Sequence, residues 1–153
     1  MNNIVEFFVE KNVFSYPNAS YEDYWRLARV KNGCGTDEIR YNKYLCAWIS
    51  VIWPKSSSES LSSIFRFLEK SKRLQEHRGA AGFVEYGDDV NVSFSNRGAQ
   101  FSCAVDSWEE VLEGHFSLTE VIALVEAWRE FLQMPDSEQS KMEVTLPCIS
   151  KLP

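Results

Sequence analysis

The apolar pattern of this chain changes period at Gly79-Ala80-Ala81-Gly82. Before that linker apolar residues recur at helical spacing, and after it they alternate with a period of two. A change of this kind, with no internal repeat, predicts helices and an antiparallel sheet built in succession, an α+β fold. At 153 residues the chain is one domain in length, long enough to bury a core without disulfide staples.

On this reading residues 3–11 form a short helix with Ile4, Val5, Phe7, Phe8 and Val9 apolar. Pro17 and Asn18 break the chain, and Ser20 caps a helix over Tyr21–Asn32 with Asp23 in its first turn. Gly33 and Gly35 end it. Thr36-Asp37-Glu38 opens a third helix that Pro54 stops after Trp53, with Tyr41, Leu45, Trp48, Ile49 and Ile52 toward the core. A fourth helix, about 59–78, buries Leu61, Ile64, Phe65 and Leu68 and ends in basic residues.

Three strands follow, over 83–86, 90–95 and 99–105, joined by the turns Gly87-Asp88-Asp89 and Asn96-Arg97-Gly98. Two capping boxes, Ser107-Trp108-Glu109-Glu110 and Ser117-Leu118-Thr119-Glu120, open a short helix closed by Gly114 and a longer one to about Gln133. The expected architecture is therefore N-terminal helices, a central three-stranded antiparallel meander and two C-terminal helices. Residues 1–135 form one globular domain. The tail 136–153 is either flexible or one edge strand.

The charge is unevenly distributed. Residues 1–82 carry a net +3, residues 83–138 a net −10 and the remainder +1. A concentrated acidic block attracts basic partners and repels nucleic acid and anionic membrane. Many of its acids have local explanations: Glu109, Glu110 and Glu120 sit in first helical turns, where carboxylates complement the dipole. Glu113 does not, because it lies at a helix end beside Gly114. Nor do Glu126 and Glu130, like charges one turn apart on the solvent side of the last helix. These three, with Glu85, Asp88 and Asp89, are the candidate charged contacts, and Trp108 is the candidate aromatic anchor.

Catalytic and metal motifs are thin. His77 and His115 have no nucleophile in a recognisable arrangement, and there is no phosphate loop, dinucleotide fingerprint or zinc-protease motif. Tyr86-Gly87-Asp88-Asp89 matches a polymerase metal motif, but a polymerase needs several times this length. No catalytic residue, metal or cofactor is expected. Arg66, Lys70 and Arg73 align on the fourth helix, yet a sequence pI near 5.0 argues against nucleic-acid binding. The cysteines Cys34, Cys46, Cys103 and Cys148 have no metal-ligand spacing. No signal peptide or membrane-spanning run is visible, so the expectation is a cytoplasmic protein with reduced, inert thiols.

The segment 107–132, with Ser107-Trp108-Glu109-Glu110-Val111-Leu112-Glu113-Gly114 and then Trp128, Phe131 and Leu132, resembles the immunity proteins of bacterial toxin–immunity systems, those of contact-dependent growth inhibition in particular. The resemblance covers about a sixth of the chain and transfers no residue roles. It implies a stoichiometric inhibitor, monomeric when free, that neutralises a cognate toxin, often a nuclease with a basic cleft. A second family of small acidic α+β proteins is also similar, the bacterial secretion chaperones. They imply a homodimer holding an unfolded effector segment.

Overall fold

The computed structural model describes residues 2–86, 90–103 and 112–147, with Tyr86, Cys103 and Leu112 as backbone only. Strands β1 (Asn2–Tyr16) and β2 (Ala19–Asn32) form a long antiparallel hairpin. Helix α1 (Asp37–Arg40) runs through a π-helical segment (Tyr41–Cys46) into α2 (Ala47–Ile52), and α3 (Ser58–Glu76) follows. Next come β3 (Phe83–Tyr86), β4 (Val90–Ser95), β5 (Gly98–Cys103), a 3-10 turn (Leu112–Gly114) and β6 (His115–Phe116). Helix α4 (Leu118–Leu132) and β7 (Lys141–Pro147) complete the described chain. The strands form two sheets, ordered β2-β1-β7 and β3-β4-β5-β6.

One core joins both sheets. Val5, Phe7 and Val9 point inward from β1, and Phe7 meets Trp128 edge-on at 5.0 Å and Phe131 at 5.6 Å on α4. On the other sheet Phe94 and Phe101 pack against Trp48, and Phe67 of α3 packs against Phe94. The wide π-helical turn buries Tyr41, Tyr44, Leu45 and Cys46 together, delivering three large side chains and a thiol from six residues. The β2 edge is closed by helix side chains: the Val30 amide donates to Asn42 Oδ1 at 2.9 Å and the Ala28 amide to Ser50 Oγ at 3.0 Å.

The first two expected helices, 3–11 and Tyr21–Asn32, are strands, so the chain does not begin with helices. Alternate residues Asn3, Val5, Phe7 and Val9 are buried while their neighbours are more exposed, and Pro17-Asn18 is a two-residue hairpin loop rather than a break between helices. In a short run such as Ile4-Val5-Glu6-Phe7-Phe8-Val9 helical and two-residue periods are hard to separate. Its β-branched and aromatic content favours the pleated surface. Residues 21–32 mislead for another reason: half of that strand leaves the core, so burial imposes no alternation on it.

The expected three-stranded meander gains a fourth strand, β6, which pairs through Ala99↔Phe116 and Gln100↔His115. The short helix expected before Gly114 falls mostly outside the described residues, and Leu112–Gly114 is a 3-10 turn. Lys141–Pro147 of the tail pairs with β1 from Phe8 back to Asn2. Cys34 is disulfide-bonded, which corrects the expectation of reduced thiols throughout. Cys46 is a buried free thiol, pushed up to about 12 by desolvation. No helix among the described residues is long and apolar enough to cross a membrane.

A buried polar network fastens these layers. Arg40 donates to Asp37 Oδ1 at 2.6 Å, to the His115 carbonyl at 2.6 Å and to the Glu113 carbonyl at 3.0 Å. Asn3 Nδ2 donates to Asp37 Oδ2 at 2.9 Å, and Tyr41 donates its hydroxyl to Glu120 Oε2. The other Glu120 oxygen closes the Ser117 capping box at 3.0 Å from the Ser117 amide. Burial and the Glu120 carboxylate hold the Tyr41 hydroxyl well above the ordinary tyrosine range. All five side chains are buried, so the network joins β1, α1, α4 and β6 without presenting a reactive surface.

Candidate protein-binding surface

The carboxylates singled out by sequence are spread over separate elements. Glu85 is half-buried on β3, and desolvation raises its carboxyl while Lys70 opposes the rise. Glu113 Oε1 accepts hydrogen bonds from Lys43 Nζ and the Tyr44 hydroxyl, both at 3.1 Å. Its position at a helix end is thus explained by internal pairing. Glu126 pairs with Lys72 of α3 at 2.8 Å. Glu130 is exposed one turn further along α4. Asp88, Asp89 and Trp108 lie outside the described residues.

For Glu85 the sign of the pH effect is fixed. A carboxyl raised in the folded state binds its proton more tightly there than in the unfolded chain. The stability this confers is full below the ordinary carboxyl value of 4.5 and declines as pH rises through the raised value. Glu85→Gln is expected to flatten that decline without lowering stability at neutral pH. Chemical denaturation from pH 4 to pH 7, run on both proteins, checks it.

The exposed feature that sequence reasoning missed is the far half of the β1–β2 hairpin. β7 stops pairing with β1 at Phe8↔Lys141, whereas β1 and β2 continue together from Glu10↔Trp25 to Tyr16↔Ala19. The two strands therefore run on as a ribbon of roughly 20 Å, at about 3.4 Å per residue. A two-stranded ribbon is marginal by itself. This one is anchored at its base by Arg26, which is buried and donates to the Phe131 and Met134 carbonyls, each at 2.5 Å, and to Asp136 at 2.9 Å. Its guanidinium also lies 4.9 Å from the Phe131 ring centre. A cation at the last carbonyls of α4 complements the helix dipole, so the arm and α4 hold each other in place.

Antiparallel register puts directly opposed residues on one face. Phe14 stacks on Tyr21 at 5.0 Å, and Tyr21 on Tyr16 at 5.9 Å. Such cross-strand pairs contribute roughly 0.2–1 kcal/mol each. Tyr16 (59% exposed), Tyr21 (51%) and Trp25 (49%) extend this face, and Val13 (59%) lies exposed on the other.

Acids are interleaved with the rings. Trp25 Nε1 donates to Asp23 Oδ2 at 2.7 Å, and the Tyr24 hydroxyl donates to Glu22 Oε2 at 2.9 Å. Lys11 meets Glu22 at 2.9 Å, which holds the Glu22 carboxyl below its ordinary range. With Glu10, residues 10–25 carry a net −2. Asn12 Nδ2 is buried without a hydrogen-bond partner, a donor left over on the same ribbon. The sequence signal for the arm was present: aromatic and β-branched residues flank a Pro-Asn turn dipeptide on both sides.

No protein-family model, curated protein or solved structure matches this chain.

Proposed function

We propose that this protein binds a basic protein partner through the acidic, aromatic arm of the β1–β2 hairpin and neutralises it stoichiometrically, as an immunity protein neutralises a toxin. The observation that carries the reading is the set of exposed side chains on the arm, Tyr16, Tyr21 and Trp25 beside Glu10, Glu22 and Asp23. Exposed tyrosine and tryptophan are the residue types that dominate binding energy at protein interfaces. Large apolar side chains held in water on a projecting element mark contact surfaces. Interleaved carboxylates add steering toward a cationic groove, such as the phosphate-binding cleft of a nuclease toxin. The encounter we infer is between a free monomer and its toxin, and the disulfide at Cys34 favours an oxidising compartment over the cytoplasm as its place.

The test begins by capturing the tagged protein's partner from its own cells and measuring the affinity of the purified pair. Trp25→Ala and Tyr21→Ala are each expected to weaken binding about 30-fold or more, the hot-spot range, with folding unchanged. Reversing Glu126 and Glu130 to Lys, on the separate α4 surface, is expected to leave affinity within about threefold. If that reversal abolishes binding while the arm variants bind normally, the contact belongs to α4. A protein recovered only as its own dimer, or holding an unfolded fragment, would replace the inhibitor reading with the chaperone.

A further inference from the structure

A second exposed feature carries the opposite charge. Arg78 lies just past the end of α3, and Arg97 stands in the two-residue turn Asn96-Arg97 between β4 and β5. Both line one cleft of about 450 Å³, together with Gln75, Asn96 and Ser117. Gly98 fixes the turn: its φ of +125° is closed to ordinary side chains, and a Cβ there would sit 2.5 Å from the Phe116 carbonyl oxygen.

Among the described residues neither guanidinium makes an ion pair, so both are left to meet an anion from solution. No carboxylate of the described residues lines the cleft. Glu120, at the start of α4 behind it, is buried, with its oxygens committed to Ser117 and Tyr41. That capping box also occupies the helix terminus, so the two arginines, not the helix end, are what mark the cleft.

We propose that this cleft binds a small-molecule phosphate, with Arg78 and Arg97 gripping the oxygens from opposite walls. Each guanidinium offers a planar fork of donors suited to phosphate, and the side-chain amides of Gln75 and Asn96 add more. That is more donor capacity than the two oxygens of a carboxylate use, whereas a diphosphate uses it. The volume lies within the range of small-molecule sites. The neighbouring face of α3, with Arg66, Lys70 and Arg73, is interrupted by Glu69 and Glu76. This mixture disfavours a continuous track for a nucleic-acid backbone. The cleft shares no lining residue with the arm.

The experiment is titration of the purified protein with pyrophosphate at low salt, followed by amide NMR shifts. Saturable one-to-one binding is expected, with Arg78→Gln and Arg97→Gln each weakening it about tenfold or more. Arg66→Gln, on the adjacent face, is expected to leave it unchanged. Both arginines of the cleft are exposed, and melting curves establish that the variants fold. Adenosine diphosphate binding at least as tightly as pyrophosphate supports a nucleotide as the source, and weaker binding supports a free diphosphate. Absence of saturation by about 1 mM pyrophosphate overturns the proposal. So does an equal loss in all three variants, or an oligonucleotide that outcompetes pyrophosphate and depends on Arg66 as strongly as on Arg97. Those outcomes would mean a diffuse cationic face.

Discussion

Arg40→Ala is expected to lower the stability of this protein by about 3–5 kcal/mol, the cost of leaving a buried charge without its partner. Asp37 is the charge left behind, 6% exposed and, among the described side chains, held in addition by Asn3. The carbonyls of Glu113 and His115 would also lose their donor, and Phe116 the guanidinium 4.6 Å from its ring centre. Urea denaturation measures the loss. Adding Asp37→Asn is expected to restore part of it, because the orphaned charge is then gone. A double-mutant cycle gives the coupling directly. A loss below about 1 kcal/mol for Arg40→Ala would mean that water reaches Asp37.

Trp128→Ala is expected to cost a similar amount, about 3–5 kcal/mol, by a different mechanism. Trp128 is fully buried between Phe7 and Phe131, and its Nε1 donates to the Trp53 carbonyl at 3.0 Å. Truncation opens a cavity between α4 and the β2-β1-β7 sheet and leaves that carbonyl unpaired. Trp128→Phe retains most of the packing and forfeits the hydrogen bond, so about 1–2 kcal/mol is expected. Comparing the two variants by thermal melting separates volume from hydrogen bonding.

These two residues differ in how visible they are in the sequence. Trp128 falls in a run, Leu118, Val121, Ile122, Val125, Trp128 and Leu132, whose spacing already defines the buried arc of α4. Arg40 is one of several charged residues near a helix start, with nothing local to distinguish it. Its partners are 3, 73 and 75 positions away. Glu113 behaves similarly. Its position beside Gly114 has no explanation in local chemistry, and its partners, Lys43 and Tyr44, lie some 70 residues earlier. An acid that looks spare along the chain is here an acid paired across the fold.

The candidate site is where sequence reading lost most. Residues 10–25 leave the core, so neither face of the ribbon is consistently buried and the alternation that identifies a strand is weak. The same absence of burial is what leaves Tyr16, Tyr21 and Trp25 exposed to meet a partner.

Elements that form within a few residues are legible along the chain. The Ser117–Glu120 box starts α4, Ser57 caps α3 through the Ser60 amide, and alternation lays down β3, β4 and β5. Pairing over long separations is set by the assembled fold. Asn2–Asn32 became a hairpin because β7 and α4 arrive from more than 100 residues away to cover β1, and Arg26 reaches the end of α4 from the arm. Local propensity differences of tenths of a kcal/mol cannot resist the burial of Val5, Phe7 and Val9 on that sheet, each worth roughly 1.5–3 kcal/mol.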